Sequence, residues 1–186
     1  TNAYAMFYQC TALTTVPLFN LSSVTNAYAM FSNCTALTTV PLFNLSSVTN
    51  AYAMFAYCPV TTVPLFNLSN CTSTRSMFYQ CTPLTTVPLL NLSSVTDTFA
   101  MFYQCTALTT VPLFNLSNCT NATNMFFGVT LTTTSYSDFL INLATLPLQS
   151  GVTFSGGNSK YNVAGGVARA YLISNFGWTI TDGGAA

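Results

Sequence analysis

Charge is almost missing from this chain. Six of its 186 residues carry it: Arg75, Lys160, Arg169, Asp97, Asp138 and Asp182. That is 3% of the chain, against roughly 25% in an average soluble domain. Histidine and glutamate are absent, and the net charge is zero. Such a chain has no electrostatic footprint for nucleic acid or an anionic membrane surface. General acid–base catalysis needs titratable groups brought together. Here there are only three scattered aspartates, so an enzyme is not expected. No apolar run approaches the ~20 residues of a membrane span, because Pro17 and its equivalents interrupt every one.

Polarity at the surface must therefore come from Thr, Ser and Asn. So neutral a surface gives little colloidal repulsion. That implies a chain that is anchored, glycosylated or packed in an assembly. The chain opens at Thr1 inside a repeat, without Met or a signal peptide, which suggests a processed product or a fragment.

What is present is repetition. The stretch Thr1 to Val24 returns almost letter for letter from Thr25 to Val48, then less faithfully from Thr49, Thr72 and Thr96. A sixth copy opens at Thr120 and dissolves after Met125-Phe126. Met6, Met30, Met54, Met77, Met101 and Met125 mark the period: 24 residues, and once 23, where Cys58-Pro59-Val60 shortens the repeat. A fixed period of about 20–50 residues reads as a solenoid. The fold class expected is an α/β solenoid: a leucine-rich-repeat-like stack of five to six coils, each a short parallel strand plus a short helix, closed by an α/β C-terminal cap. Residues 1–134 form the repeat array and residues 135–186 the capping module.

Within a repeat, Ala3, Met6, Phe7 and Cys10 recur at i, i+3, i+4 and i+7, one face of a helix. Thr1, Thr25, Thr49, Thr72, Thr96 and Thr120 stand where an N-cap belongs. One to two helical turns are expected, too short to stand without tertiary packing. Leu13-x-x-Val16-x-Leu18-x-x-Leu21 follows the leucine-rich pattern. It predicts a strand around residues 15–18, with Val16 and Leu18 inward and Thr15 and Pro17 outward. Proline cannot donate to a ladder, so the strand should end at Pro17, Pro41, Pro64, Pro88 and Pro112.

Seven cysteines are an odd number. Cys10, Cys34, Cys58, Cys81 and Cys105 form one column, and Cys71 and Cys119 replace valine in another. A residue interchangeable with valine behaves as a small buried hydrophobe. Buried thiols are the main expectation. A vertical disulfide is an alternative, although parallel stacking gives poor bridging geometry. Metal binding has neither a C-x-x-C pair nor a histidine behind it. No metal or cofactor is expected.

The run Met-Phe-x-x-Cys-Thr-x-Leu-Thr-x-Val-Pro-Leu, followed by Asn-Leu-Ser-Ser-Val-Thr, resembles the BspA-like leucine-rich-repeat surface proteins, including surface repeats of mycoplasmas and many bacteroidetes. Residues 135–141, 148–161 and 168–172, with Gly177-Trp-Thr-Ile-Thr-Asp-Gly-Gly184, look like a module that closes such arrays. Similar modules end surface proteins of marine bacteria and tail-fibre or virion-surface proteins of their phages. The resemblance implies an extracellular, cell-surface or virion-surface setting and adhesion to varied targets.

In that C-terminal part we expect a last repeat-like strand at residues 129–133, a short helix at 138–143 and a strand at 152–154. A helix from Val163 to about Ser174, capped by Asn162, and a final strand at 178–180 follow. Terminal units of a repeat array are atypical caps. Lys160, Arg169 and Asp182 suit its water-facing side, and Trp178 its core. The pairs Gly156-Gly157 and Gly165-Gly166 do not have the spacing of a phosphate-binding fingerprint. At the other end, the edge at Thr1 is expected to continue into further chain or stack on another subunit.

Two stripes are candidate interaction surfaces: Thr15, Thr39, Thr62, Thr86 and Thr110, and Phe19, Phe43, Phe66, Leu90 and Phe114. The phenylalanines form an apolar patch if they face out, and tuck into the core otherwise. Tyr4, Tyr28, Tyr52 and Phe99, with Tyr8, Tyr79 and Tyr103, add aromatics suited to sugars or protein contacts. Asn20, Asn44, Asn67, Asn91 and Asn115 open N-x-Ser/Thr sequons, as do Asn33, Asn70, Asn118 and Asn121. Turns favour the same residues without any sugar, and O-linked sugar on the threonine columns is a further alternative. The function expected is a non-enzymatic structural or adhesion protein that self-assembles into a fibre, filament or oligomer, or attaches to a host surface protein or glycan. The alternative is an ice-binding solenoid using the threonine columns.

Overall fold

Asn2 bridges to Asn26, Asn26 to Asn50, Asn50 to Ser73, Ser73 to Asp97 and Asp97 to Asn121, all parallel. These bridges set successive repeats against one another in register in the computed structural model, which describes all 186 residues. The ladder continues through the N-terminal half of each repeat. The N–H groups of Ala3, Ala5, Phe7 and Gln9 donate to the carbonyls of Asn26, Tyr28, Met30 and Ser32, at 2.8–2.9 Å. The same four positions repeat the pattern down to Gln104, which donates to Phe127. Residues in between donate to the carbonyl three back in their own repeat: Met6 to Ala3, Tyr8 to Ala5, Cys10 to Phe7.

No helix forms in this half of the repeat, which corrects the expected one to two turns. Ala5 has φ 51° and Gln9 φ 58°, and their equivalents from Ala29 to Asn124 are likewise positive. An α-helix needs φ near −60° throughout. The left-handed residues turn every second N–H out of the repeat and toward its neighbour. Two such residues cost roughly 1–2 kcal/mol each. Four hydrogen bonds at about 1 kcal/mol each offset this, but only when a neighbouring repeat is there to accept them. The threonines do not act as N-caps either. The N–H and hydroxyl of Thr25, Thr49, Thr72, Thr96 and Thr120 both donate to the carbonyl of the threonine one repeat earlier.

The inward set is nevertheless Ala, Met, Phe and Cys. Ala27, Met30, Phe31 and Cys34 are fully buried, and so are their counterparts in the third repeat. In the first repeat Met6 and Cys10 are exposed. Phe7, Phe31, Phe55, Phe78, Phe102 and Phe126 stack face to face at 5.2–5.8 Å, within 9° of parallel. Phenylalanines recur about every 12 residues, so the second half of each repeat feeds the same stack.

That second half is not a strand at residues 15–18, as expected; its one bridge joins Thr62 to Thr86. After Pro41, Pro64, Pro88 and Pro112 the chain makes a three-residue turn. Phe43 N–H donates to the Pro41 carbonyl, as Phe66 does to Pro64, Leu90 to Pro88 and Phe114 to Pro112, at 2.8–2.9 Å. The central residue of such a γ-turn stands at its tip. Strand alternation is broken, and Leu42 points outward while Phe43 turns in.

The repeats lead into helix α1, Thr133–Ala144, strand β1, Thr153–Ser155, helix α2, Val163–Phe176, and strand β2, Thr179–Thr181. Residues 129–132 form no strand, contrary to expectation; Val129 and Leu131 are buried on the way into α1. The Thr132 hydroxyl accepts from Ser135 N–H as the α1 N-cap, and Asn162 caps α2 through Gly165 N–H. Gly177, at φ 66°, ends α2 in the left-handed conformation that glycine takes without steric cost.

β1 occupies the place of a next repeat in the ladder. Ala122 and Phe126 N–H donate to the Thr153 and Ser155 carbonyls, and β2 then pairs in parallel with β1. The phenylalanine stack ends here, with Phe139 and Phe154 meeting Phe126 edge-on at 88° and 83°. Trp178 packs against Phe154 in the same core and donates to the Gln149 carbonyl at 2.9 Å. One hydrophobic core runs from Ala3 to Ile180. The result is a repeat-built α/β fold, sparse in regular helix and strand.

Candidate interaction surface

The γ-turns decide which columns reach solvent. Leu18, Leu42, Leu65, Leu89 and Leu113 are 49–69% exposed, one per repeat. The inward placement expected for Leu18 is thereby corrected. Phe43, Phe66 and Phe114, with Leu90, are buried to 1% or less, and Phe19 is half-buried. The phenylalanine stripe therefore lines the core and offers no surface. The sequence carried a signal for this exchange: a proline directly precedes every one of the exposed leucines.

Beside the leucine ridge, Thr15, Thr39, Thr62, Thr86 and Thr110 are all exposed. At its C-terminal end the ridge meets α1. Leu113 and Ile141 line one groove of about 590 Å³. Ile141 continues into a second, about 560 Å³, walled by Ala144, Val167 and Tyr171 between α1 and α2. Val167 and Tyr171 are exposed there. An apolar path thus follows the repeats and continues onto the cap helices.

The turn-ladder face carries aromatics instead. Tyr4, Tyr28 and Tyr52 stack at 4.7 and 4.6 Å. Burial, with Tyr52 and Tyr4 adding to it, raises the Tyr28 phenol above its ordinary range. Arg75 takes the next place in the column. Tyr79, Tyr103 and Phe127 stack in a second column at 4.6 and 4.9 Å. Tyr8 belongs to that column, but Ser32 and Ala56 interrupt it.

The sequon asparagines serve turns. Asn20, Asn44, Asn67, Asn91 and Asn115 are exposed, and the side-chain oxygen of each accepts from the N–H two residues on. Asn70 and Asn118 differ, because their side-chain N–H groups donate to the Ser46 and Ser93 carbonyls of the preceding repeat.

All seven cysteines are free thiols, and six are buried. Cys34, Cys58, Cys81 and Cys105 each donate to a phenylalanine carbonyl of the preceding repeat, at 3.0–3.1 Å. Burial pushes Cys34 and Cys71 up to about 11 and Cys58 and Cys105 up to about 12. They stay protonated, and a neutral thiol is a poor nucleophile.

In the cap, Asp182 accepts from Tyr136 Oη at 2.9 Å and from Arg169 Nε at 2.8 Å. Arg169 also donates to the Ile180 carbonyl. The Asp182 side chain is 3% exposed, so it does not sit on the water-facing side where the sequence placed it. Burial alone would lower the Arg169 pKa, but the Asp182 carboxylate overrides this and raises it. Burial, then Asp182, raises Tyr136. Every member of this node has its partner inside the cap, and Asp182 also borders a cavity of about 330 Å³ with Ser155, Asn158 and Thr181.

What the geometry defines is a repeat-built protein that presents periodic columns of side chains to solvent. The chain belongs to the family described as "Mycoplasma protein of unknown function, DUF285", whose model matches residues 1–108 and again 61–139. This is the BspA-like repeat family of mycoplasma and bacteroides surface proteins, and the match covers the repeats but not the C-terminal module. No curated protein and no solved structure matches the chain. No helix is long and apolar enough to cross a membrane.

Proposed function

We propose that this chain is a leucine-rich-repeat-like solenoid of an extracellular, cell or virion surface, without enzymatic activity, whose leucine ridge holds copies of the chain together in a fibre or oligomer. The observation that carries this reading is the row of five exposed leucines at one position per repeat. Contiguous exposed apolar surface marks interaction sites. The occupant is a second copy of the chain. Two such ridges share one period and mesh along their whole length, and zero net charge sets no repulsion between copies. The family match to surface-protein repeats supports the setting.

Sedimentation of the wild type against a Leu42→Asp/Leu65→Asp/Leu89→Asp variant tests this. The expected result is concentration-dependent association of the wild type and a folded, monomeric variant. A wild type that stays monomeric at high concentration overturns it. The in-register exposed threonine column favours a second reading, ice binding. It requires thermal hysteresis that disappears in a Thr39→Lys/Thr86→Lys variant.

A further inference from the structure

We infer that the gap in the tyrosine face at Ser32 is a binding slot for one neutral pyranose ring of a glycan. The gap is a break in a periodic wall. Position eight of the repeat is Tyr8, then Ser32, then Ala56, then Tyr79 and Tyr103. Where tyrosines persist they stack on one another and close the surface. Where Ser32 replaces one, a cavity of about 440 Å³ opens. That lies within the roughly 300–1,000 Å³ typical of small-molecule sites.

Tyr8 from the first repeat and Tyr57 from the third flank the Ser32 level, while Tyr28 and Tyr52 form the side wall. Repeats on this face are spaced 4.6–4.7 Å, as the Tyr4–Tyr28–Tyr52 stack measures. Tyr8 bounds the Ser32 level within its own column, and on the other side Tyr57, one position on from Ala56, lies tilted at 59° against Tyr79. Tyrosine rings stack at 4.6–4.7 Å in the unbroken columns, so the gap admits one six-membered ring, and the chemistry of the walls decides its kind.

Those walls select a neutral sugar. No charged residue lines the cavity. An anionic or cationic ligand would lose hydration there with nothing to replace it. Phenol rings present an apolar face and a polar tip, which matches a sugar's C–H face and hydroxyl rim. Asn33 adds an amide beside Ser32, its Nδ2 3.3 Å from the Ser32 hydroxyl. Ala29 and Ala53 keep the floor shallow and nearly buried. The site lies on the turn-ladder face and does not depend on the leucine ridge.

Titration calorimetry with neutral gluco-, manno- and galacto-oligosaccharides, and with hyaluronan oligosaccharides as an acidic comparison, tests the inference. The wild type is expected to bind at least one neutral series and not hyaluronan. Ser32→Tyr, which restores the residue found at Tyr8 and Tyr79, and Tyr57→Ala should each weaken binding tenfold or more. Leu65→Asp, on the other face, should bind as the wild type does. If Ser32→Tyr does not fold, Tyr57→Ala and Tyr8→Ala carry the comparison. Failure of every neutral series to bind, preference for hyaluronan, or unchanged affinity in both folded slot variants overturns the inference.

Discussion

The Arg75 guanidinium lies 3.9 Å from the centre of the Phe99 ring and 6.0 Å from that of Tyr52. It occupies the place that Tyr4, Tyr28 and Tyr52 hold in their repeats, so a cation continues an aromatic column. Asp97 sits 3.5 Å from it. Arg75→Ala should cost about 0.5–1 kcal/mol, the usual range for exposed cation–π pairs. Arg75→Tyr should cost less, because a ring restores the column. Thermal melts of the two variants check the order.

The stacked phenylalanines predict a large, local sensitivity. Phe78 is fully buried between Phe55 and Phe102. Phe78→Ala leaves a cavity with no room to collapse and should cost about 3–5 kcal/mol. Phe7, half-buried with one ring neighbour in the stack, should tolerate the same change far better. Urea denaturation of both variants measures the difference.

Gln80 has φ 55°, and the equivalent position in the last repeat is Gly128. A left-handed non-glycine residue costs roughly 1–2 kcal/mol, more than the roughly 0.5–1 kcal/mol of extra chain entropy that glycine loses. Gln80→Gly should therefore stabilise by up to about 1 kcal/mol, and Gln80→Val should destabilise. In an α-helix the glycine effect would have the opposite sign, so the melting temperatures also check the turn ladder.

The buried thiols set an alkaline limit. Unfolded, they ionise near their ordinary value of 9.0; folded, burial holds Cys34 and Cys71 to about 11 and Cys58 and Cys105 to about 12. Their contribution is complete below about pH 9 and is lost as pH rises through 11 to 12. Tyr136 shifts in the same direction. Chemical denaturation from pH 7 to 11 should show a plateau and then a steep decline. A thiol reagent at neutral pH should modify Cys10 alone until the chain unfolds, since the other six are buried.

The period, the inward set of Ala, Met, Phe and Cys, the Asn162 cap and the buried Trp178 were all legible in the sequence. The conformation that produces the inward set was not. Spacing at i, i+3, i+4 and i+7 fits a helix, but a chain of turns delivers the same residues inward. Nothing in Ala5 or Gln9 announces a left-handed backbone, because the bonds that stabilise it come from a neighbouring repeat. The outward leucines were missed for a different reason. Alternation assumes a strand, and the turn after Pro41 shifts the inward position from Leu42 to Phe43. Asp182 misled because charge suggests water, whereas Tyr136 and Arg169 give it partners inside the cap.

β1 accepts the N–H groups of the last repeat with the carbonyls a further repeat would have supplied. The closing module bonds to the sixth copy and, through Ser135, Asn142 and Gln149, to Val111, Phe114 and Ser117 of the fifth, so it is indifferent to how many came before those. Length is a free variable of this design. Whole units can be added or removed along the array as one lengthens a ruler, with the terminal fittings unaltered and each added unit contributing one more leucine to the edge.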